Sequence, residues 1–162
     1  MTEISPEEWG NRYRNIRGTC EAMTGRLRTL IVDLLAEANI EVIQIEARTK
    51  AVDSFTEKIS RKRAKYENPL REITDLVGIR IITYYLEDVA AVGEILKKEF
   101  QIDATNSVDK AAGLDPDRFG YTSVHYVVAL SPDRRKLGEW RPYASYRAEI
   151  QVRTPCSTRG RR

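Results

Sequence analysis

The segment from Arg147 to Thr154 alternates polar and apolar residues, and this pattern constrains the fold more than any other part of the chain. Successive side chains of a β-strand point to opposite faces of the sheet. One face would carry Arg147, Glu149, Gln151 and Arg153, and the other would carry Ala148, Ile150 and Val152. The pattern predicts a strand with an apolar side for the core and a polar side suited to a metal and a polyphosphate. For the strand taken alone, an amphipathic edge strand with paired charges is the alternative.

Three further blocks precede this strand in the sequence. They are Arg48-x-Lys50 with Ser54 and Lys58, then Asp75 to Ile82, then Phe119 to Tyr126. In this order and spacing, the four blocks resemble the RelA/SpoT-type alarmone synthetases, which transfer pyrophosphate from ATP to the 3′-hydroxyl of GDP or GTP. The resemblance covers residues 40–154 and implies the nucleotidyltransferase-like fold.

The composition limits which classes of protein are compatible with the chain. Its 162 residues, 41% hydrophobic and 31% charged, are sized for one globular domain with a core of its own. The formal net charge of +3 is too small to argue for or against a nucleic-acid partner. There is no apolar run near 18 residues and the N-terminus is acidic and polar, so we expect a cytoplasmic protein with no membrane partner.

The histidine and cysteine content excludes two kinds of site. His125 is the single histidine, whereas the hydrolase domain of the long bifunctional alarmone enzymes needs several histidines and aspartates for its metal. We therefore do not expect alarmone hydrolysis. Cys20 and Cys156 are far apart in the sequence and have neither disulfide-framework nor zinc-site spacing.

The apolar periodicity predicts an α+β (or α/β) fold, a mixed sheet of about five strands flanked by helices. Ser5 and Pro6 begin a helix or helix pair, with a break expected at Gly18 or Gly25. Its inward stripe would comprise Trp9, Tyr13, Ile16, Cys20, Met23, Leu27, Leu30, Leu34 and Ala38. Strands are expected at 40–47, 78–85, 101–107, 121–130 and 146–153, and further helices at 50–65 and 88–100. The predicted domains are an N-terminal helical segment (1–39), the synthetase-like domain (40–154) and an aberrant or truncated tail (155–162).

The resemblance implies a donor side and a metal site. ATP would be bound by Arg48, Lys50, Ser54, Lys58, Arg61 and Arg80. Asp75 would be the main Mg²⁺ ligand, and Glu149 would bind the metal or help to deprotonate the attacking hydroxyl. The spacing itself predicts that Arg48 and Lys50 share a strand face and that Ser54 and Lys58 share a helix face. Two carboxylates from separate strands can hold Mg²⁺, which prefers oxygen ligands.

The resemblance also implies an acceptor side. The acceptor nucleotide would be bound by Tyr121, His125, Gln151, Arg153 and Lys110. Tyr121 would stack on the guanine, and His125 would lie near the ribose or the phosphates. The strand period independently places Tyr121, Ser123 and His125 on one face.

Two segments depart from the family pattern. The loop from Asp109 to Phe119 replaces the Tyr-Ile-x-x-Pro-Lys motif of many alarmone synthetases, which leaves the acceptor open between GDP, GTP and the 3′ end of tRNA. The tail replaces helices that carry a segment like Leu-Gln-His-Ala-Trp-Ala. One codon choice for residues 155–161 encodes this segment in a shifted frame, so we hypothesise a frameshift, with a genuine basic tail as the alternative. Loss of those helices would uncover the apolar strand face of Ala148, Ile150 and Val152.

The resemblance therefore implies a small synthetase-only GTP diphosphokinase that makes (p)ppGpp and AMP, with Mg²⁺ as its cofactor. Two alternatives remain open: a toxin-type pyrophosphokinase that modifies tRNA, and a catalytically impaired nucleotide-binding module. The apolar stripe of the first helix can also supply the interface of a homo-oligomer.

Overall fold

The computed structural model describes residues 3–62, 66–109 and 122–155. Its elements are α1 (Pro6–Glu37), β1 (Val42–Thr49), α2 (Val52–Arg61), α3 (Pro69–Glu72), β2 (Val77–Thr83), α4 (Leu86–Glu99), β3 (Phe100–Ile102), β4 (Val108–Asp109), β5 (Ser123–Leu130) and β6 (Arg147–Arg153). The 3₁₀ turns Arg134–Lys136 and Arg141–Tyr143 connect β5 to β6. Helix α3 was not predicted. Only the first two residues of the predicted strand at 101–107 are extended, as part of β3, and β4 begins after it at Val108. Among the described residues, no helix has the length and apolar character needed to span a membrane.

The strands form one mixed sheet in the order β1-β2-β6-β5-β3, with β4 pairing to β5. Strands β2 and β6 run parallel at its centre, and the other pairs are antiparallel. The predicted mixed sheet flanked by helices is therefore confirmed. Because β2 and β6 run in the same direction, the residues that begin both strands lie at one edge of the sheet. Gly78 there stands directly opposite Glu149.

Helix α1 is continuous over 32 residues. The Ser5 side chain caps its first turn by accepting a hydrogen bond from the Glu8 backbone at 3.1 Å, and Pro6 occupies the first helical position, as predicted. The predicted break at Gly18 or Gly25 is wrong. Each glycine costs a helix only about 1 kcal/mol, and the long buried face of α1 supplies more stabilisation than that.

The inward face of α1 differs from the prediction in its second half. Ile31 and Leu35 are buried there, whereas Leu30 and Leu34 are only partly buried. From Met23 the buried positions follow steps of four residues, and each such step turns the line of contact by about 40° around a helix with 3.6 residues per turn. The sequence pattern of mixed threes and fours did not reveal this rotation.

The apolar face of the sheet is covered by helices within the described residues. Ala148, Ile150 and Val152 are all 0% exposed. Helices α1 and α4 pack on this side of the sheet, α1 against β1 and β2 and α4 against β2, β5 and β6. Val89, Val92, Leu96 and Phe100 are buried, as predicted. The expectation of an uncovered strand face is therefore wrong, and the tail (156–162) to which it was linked lies outside the described residues.

Strand β1 lies at one end of the strand order, and arginines from α1 bond its backbone. Arg17 donates from Nε to the Lys50 carbonyl at 2.9 Å and from Nη2 to the Thr49 carbonyl at 3.3 Å. Arg28 donates from Nε to the Ile45 carbonyl at 3.3 Å. The long helix is thus attached to this strand by charged hydrogen bonds as well as by apolar packing.

A stacked aromatic pair fixes α2 on α1. Tyr13 and Phe55 are both 0% exposed, and their ring centroids lie 4.5 Å apart. The Tyr13 hydroxyl also donates to the Lys50 carbonyl at 2.6 Å. This packing determines where α2, which carries Ser54 and Lys58, stands relative to the sheet.

Replacing Phe55 with alanine is expected to cost about 3–5 kcal/mol of unfolding free energy, because a buried aromatic ring is lost and a cavity remains. Glu57→Ala, an exposed change on the same helix, is the matched control and should stay within about 0.5 kcal/mol of the parent. Urea unfolding of the three proteins measures the difference. Similar losses in both variants would show that α2 is not held by the aromatic pair.

Candidate active site

The face of the sheet opposite α1 and α4 carries the polar residues predicted from the strand pattern. Along β6, Arg147, Glu149, Gln151 and Arg153 are partly exposed and alternate with the buried apolar residues, which confirms the predicted division of this strand. The same open face continues onto the neighbouring strands. It includes Glu46, Arg48, Gly78, Arg80, Ser123 and His125.

A row of hydrogen-bonded side chains crosses this open face. Arg80 donates from Nη1 to Glu46 Oε1 at 3.1 Å and from Nε to Gln151 Oε1 at 2.9 Å. On the other side, Gln151 Nε2 lies 3.0 Å from Ser123 Oγ and 3.0 Å from His125 Nε2. The row thus joins residues from β1, β2, β6 and β5.

Asp75 lies between two lysines just before β2. Its carboxylate oxygens are 3.0 Å from Lys50 Nζ and 3.5 Å from Lys58 Nζ, and the Asp75 side chain is 24% exposed. Burial by itself raises the pKa of this carboxyl, but the hydrogen bonds and positive charges of Lys50 and Lys58 outweigh burial and lower the pKa below its ordinary value. Asp75 is therefore an ionised carboxylate in a locally cationic setting.

Glu149 is the second predicted acid, and it lies on the open face opposite Gly78. Its Oε1 atom is 3.6 Å from His125 Nδ1, and its side chain is about one-third exposed. Because Gly78 has no side chain, a shallow depression opens beside it, lined by Glu46, Arg48, Gly78, Ile79, Arg80 and Gln151. Asp75 thus precedes β2 by two residues, and Glu149 stands on β6 opposite the second residue of β2.

The remaining residues that were predicted to bind ATP lie on β1 and α2. Arg48 is exposed on β1, and Ser54 and Arg61 are exposed on α2. The prediction that Arg48 and Lys50 share a strand face is wrong, because β1 ends at Thr49 and the Lys50 side chain bonds Asp75 instead.

The predicted acceptor residues are only partly described. His125 and Gln151 are in contact, and Arg153 on the same strand donates from Nε to the Thr154 carbonyl at 3.2 Å. Tyr121 and Lys110 lie outside the described residues, as does the divergent loop between them.

Two parts of this site were missed in the sequence. Glu46 was assigned no role, although it stands two residues before Arg48 and so on the same strand face. Arg147 was placed on the polar face without a partner. It lies 3.0 Å from Asp103 and also donates to the Arg71 carbonyl, so it ties the turn after β3 and helix α3 to the start of β6. No sequence signal pairs residues so distant along the chain.

The carboxylates of the site can be compared with what a divalent metal requires. Over residues 3–62, 66–109 and 122–155, no three histidine, cysteine, aspartate or glutamate side chains form a cluster that could hold a metal by themselves. Mg²⁺ in phosphate-transfer sites needs only one or two carboxylates, because water and substrate phosphates complete its shell. An ionised Asp75 and a partly exposed Glu149 meet that requirement.

An open sheet face with a cation-flanked carboxylate has the chemical groups that can bind phosphate oxygens and a divalent metal. The family model described as the region found in RelA / SpoT proteins matches residues 47–159. The chain belongs to the RelA/SpoT family.

Individual relatives agree with this assignment. The GTP pyrophosphokinase YwaC of Bacillus subtilis (strain 168) is 22% identical over 151 residues, which cover 91% of this chain and 69% of that protein. Small alarmone synthetase 1 from Bacillus subtilis bound to AMPCPP superposes with a TM-score of 0.62 at 21% identity, covering 90% of this chain and 71% of that one. The same synthetase bound to its product pppGpp gives a TM-score of 0.57 at 21% identity, covering 94% and 76%. These structures share the fold of this chain.

The lowered pKa of Asp75 predicts a pH dependence of stability. The ionised form is favoured by folding, so Asp75 contributes stability above its unfolded pKa of about 3.8 and loses it as the pH falls through the lower folded value. The difference in unfolding free energy between the parent protein and Asp75→Asn should therefore be larger at neutral pH than near pH 3. Urea unfolding at both pH values measures it.

Asp33→Asn, which removes an exposed carboxylate on α1, is the control for the general effect of losing one acidic residue. A difference between parent and Asp75→Asn that stays constant with pH would contradict the charge pairing of Asp75 with Lys50 and Lys58.

Proposed function

We propose that this chain is a GTP/GDP pyrophosphokinase, which transfers pyrophosphate from ATP to the 3′-hydroxyl of GDP or GTP and yields (p)ppGpp and AMP. Family membership supports the reaction class, as do relatives named as a GTP pyrophosphokinase and as an alarmone synthetase. The observation that carries the proposal for this chain is the ionised Asp75 held between Lys50 and Lys58 at the start of the parallel strand pair.

On the donor side, the lysine pair serves the phosphates of ATP. A polyphosphate brings several negative charges, so Lys50 and Lys58 can turn from Asp75 to the phosphate oxygens at little electrostatic cost. Arg48, Ser54, Arg61 and Arg80 are proposed to complete the ATP contacts.

Asp75 and Glu149 would hold Mg²⁺, and the ion, when bound, supplies charge neutralisation between the phosphate oxygens. Asp75, once released from the lysines, would keep its negative charge by pairing with the metal instead. As the alternative to metal binding, Glu149 would help to deprotonate the attacking hydroxyl, and the partial exposure of its carboxylate supports this role.

On the acceptor side, His125, Gln151 and Arg153 are proposed to contact the guanosine nucleotide. Tyr121 and Lys110 are proposed on the basis of the sequence blocks, with the Tyr121 ring stacked on guanine. Residues 40–154 would form the catalytic unit, and α1 would provide the helical cover of its sheet.

A transfer assay with ATP radiolabelled in its γ-phosphate tests the proposal. The protein is incubated with Mg²⁺, labelled ATP, and either GDP, GTP or tRNA, and the products are separated by chromatography. Label in a guanosine nucleotide together with AMP formation supports the proposed reaction. Label in tRNA would show that tRNA, and not a guanosine nucleotide, is the acceptor. Label in neither would overturn pyrophosphate transfer by this chain.

Asp75→Asn is expected to abolish most pyrophosphate transfer while the fold is kept. Loss of a metal-binding charge removes several kcal/mol of transition-state stabilisation, which corresponds to a fall in kcat of about a hundredfold or more. Turnover at saturating Mg²⁺ and a circular dichroism spectrum measure the two parts. The matched control is Asp33→Asn, exposed and distant on α1, and near-parent turnover in Asp75→Asn would exclude the metal role.

A further inference from the structure

The residues of the polar row across the open face are direct neighbours in the strand pairing as well as hydrogen-bonding partners. Glu46 stands opposite Arg80, Arg80 opposite Gln151, and Gln151 opposite His125. Four residues from four adjacent strands thus form one line at right angles to the strands. Gln151 occupies the centre of this line and makes the contacts that join its two halves.

The chemistry of the neighbours fixes the orientation of the Gln151 amide. Arg80 Nε can only donate, so the Gln151 atom facing it must be the carbonyl oxygen. The amide nitrogen then faces β5, where its two hydrogens reach Ser123 Oγ and His125 Nε2. His125 Nε2 is therefore the acceptor. A rotation of the Gln151 amide would place its NH₂ group opposite the Arg80 Nε donor, where no hydrogen bond can form.

The two ends of the row belong to different halves of the proposed site. In the proposed function, on which this inference rests, Arg80 contacts ATP and His125 contacts the acceptor nucleotide. We propose that Gln151 is a positioning residue that links the two half-sites, so that the donor and acceptor nucleotides do not bind independently.

The direction of the coupling follows from the bonds that each nucleotide must break. ATP draws the Arg80 guanidinium toward its own oxygens and so removes the partner of Gln151 Oε1. The acceptor nucleotide likewise needs His125 and Gln151 released from each other. Loss of either bond leaves the Gln151 amide held from one side only, so the remaining bond of the row costs less to break when the second nucleotide binds. Each nucleotide should therefore strengthen the binding of the other.

Glu46 anchors the donor end of the row. Its carboxylate accepts a hydrogen bond from Arg80 Nη1, and Gln151 Oε1 accepts one from Arg80 Nε. The guanidinium is therefore held from both sides along the sheet. Both side chains of this ion pair are substantially exposed, 40% for Glu46 and 45% for Arg80, so water weakens it. An incoming phosphate can therefore displace Glu46 from Arg80, and the guanidinium is then free to leave Gln151 as well.

Titration calorimetry measures the coupling directly. GDP is titrated into the protein alone and into the protein saturated with AMPCPP, an ATP analogue whose α,β bridge is not cleaved. We expect GDP to bind at least about fivefold more tightly in the presence of AMPCPP. Gln151→Leu keeps the size but removes both hydrogen-bonding groups. GDP should bind this variant more weakly, because Gln151 is also a proposed acceptor contact, but its affinity should be the same with and without AMPCPP. Gln101→Leu is the matched control, because Gln101 accepts a 2.8 Å hydrogen bond from Arg135 outside the row, and it should keep the parent coupling.

Each outcome decides the proposal. Equal GDP affinities in the parent protein, or full coupling in Gln151→Leu, would overturn the link while pyrophosphate transfer still stands. Failure of the parent protein to bind either nucleotide would overturn the proposed function and the link together. If Gln151→Leu does not fold, Gln151→Asn replaces it, because its shorter amide cannot reach Arg80 and His125 at once and should also lose the coupling.

Discussion

The parallel pairing of β2 with β6 is the constraint on which the rest of the structure depends. Both strands bury one full face under α1 and α4, and burial of an unpaired charge there would be far too costly. Every charged or amide side chain of β6 must therefore lie on the other face. Because the two strands run in the same direction, the acid of β6 and the acid that precedes β2 come to the same edge. The site is thus a consequence of how the core is covered.

The charges beside this edge then determine which ligands it can bind. Asp75 remains ionised because two lysines offset the cost of its partial burial, and those lysines have no other carboxylate among their described contacts. The site without ligand therefore holds one carboxylate between two ammonium groups, and under the proposed function a metal and a phosphate would become their new partners. Exchange of ionic partners, rather than creation of new charges, is the physical basis of such binding.

Much of the fold could be predicted from the sequence, and the reasons differ between elements. Strand β6 and helix α4 have strict periodicities, so their faces were predicted correctly, and the Ser5 cap depends only on neighbouring residues. Gly18 and Gly25 were misinterpreted because tertiary packing outweighs local propensity. The positions of Lys50 against Asp75 and of Arg80 against Gln151 depend on pairs far apart in the chain, which no local pattern encodes. The roles assigned to these residues stay predictions.

The arginines that α1 extends to the backbone of β1 have a consequence for how the protein behaves among its neighbours. A terminal strand normally offers a ladder of unpaired carbonyls and amides on which a foreign strand can grow. Here the carbonyls of Ile45 and Thr49, and that of Lys50 just after the strand, already accept hydrogen bonds from Arg17 and Arg28. An extended peptide would have to displace two guanidinium groups to register with this edge. The helix that covers the core therefore also hinders the pairing of a foreign strand with β1.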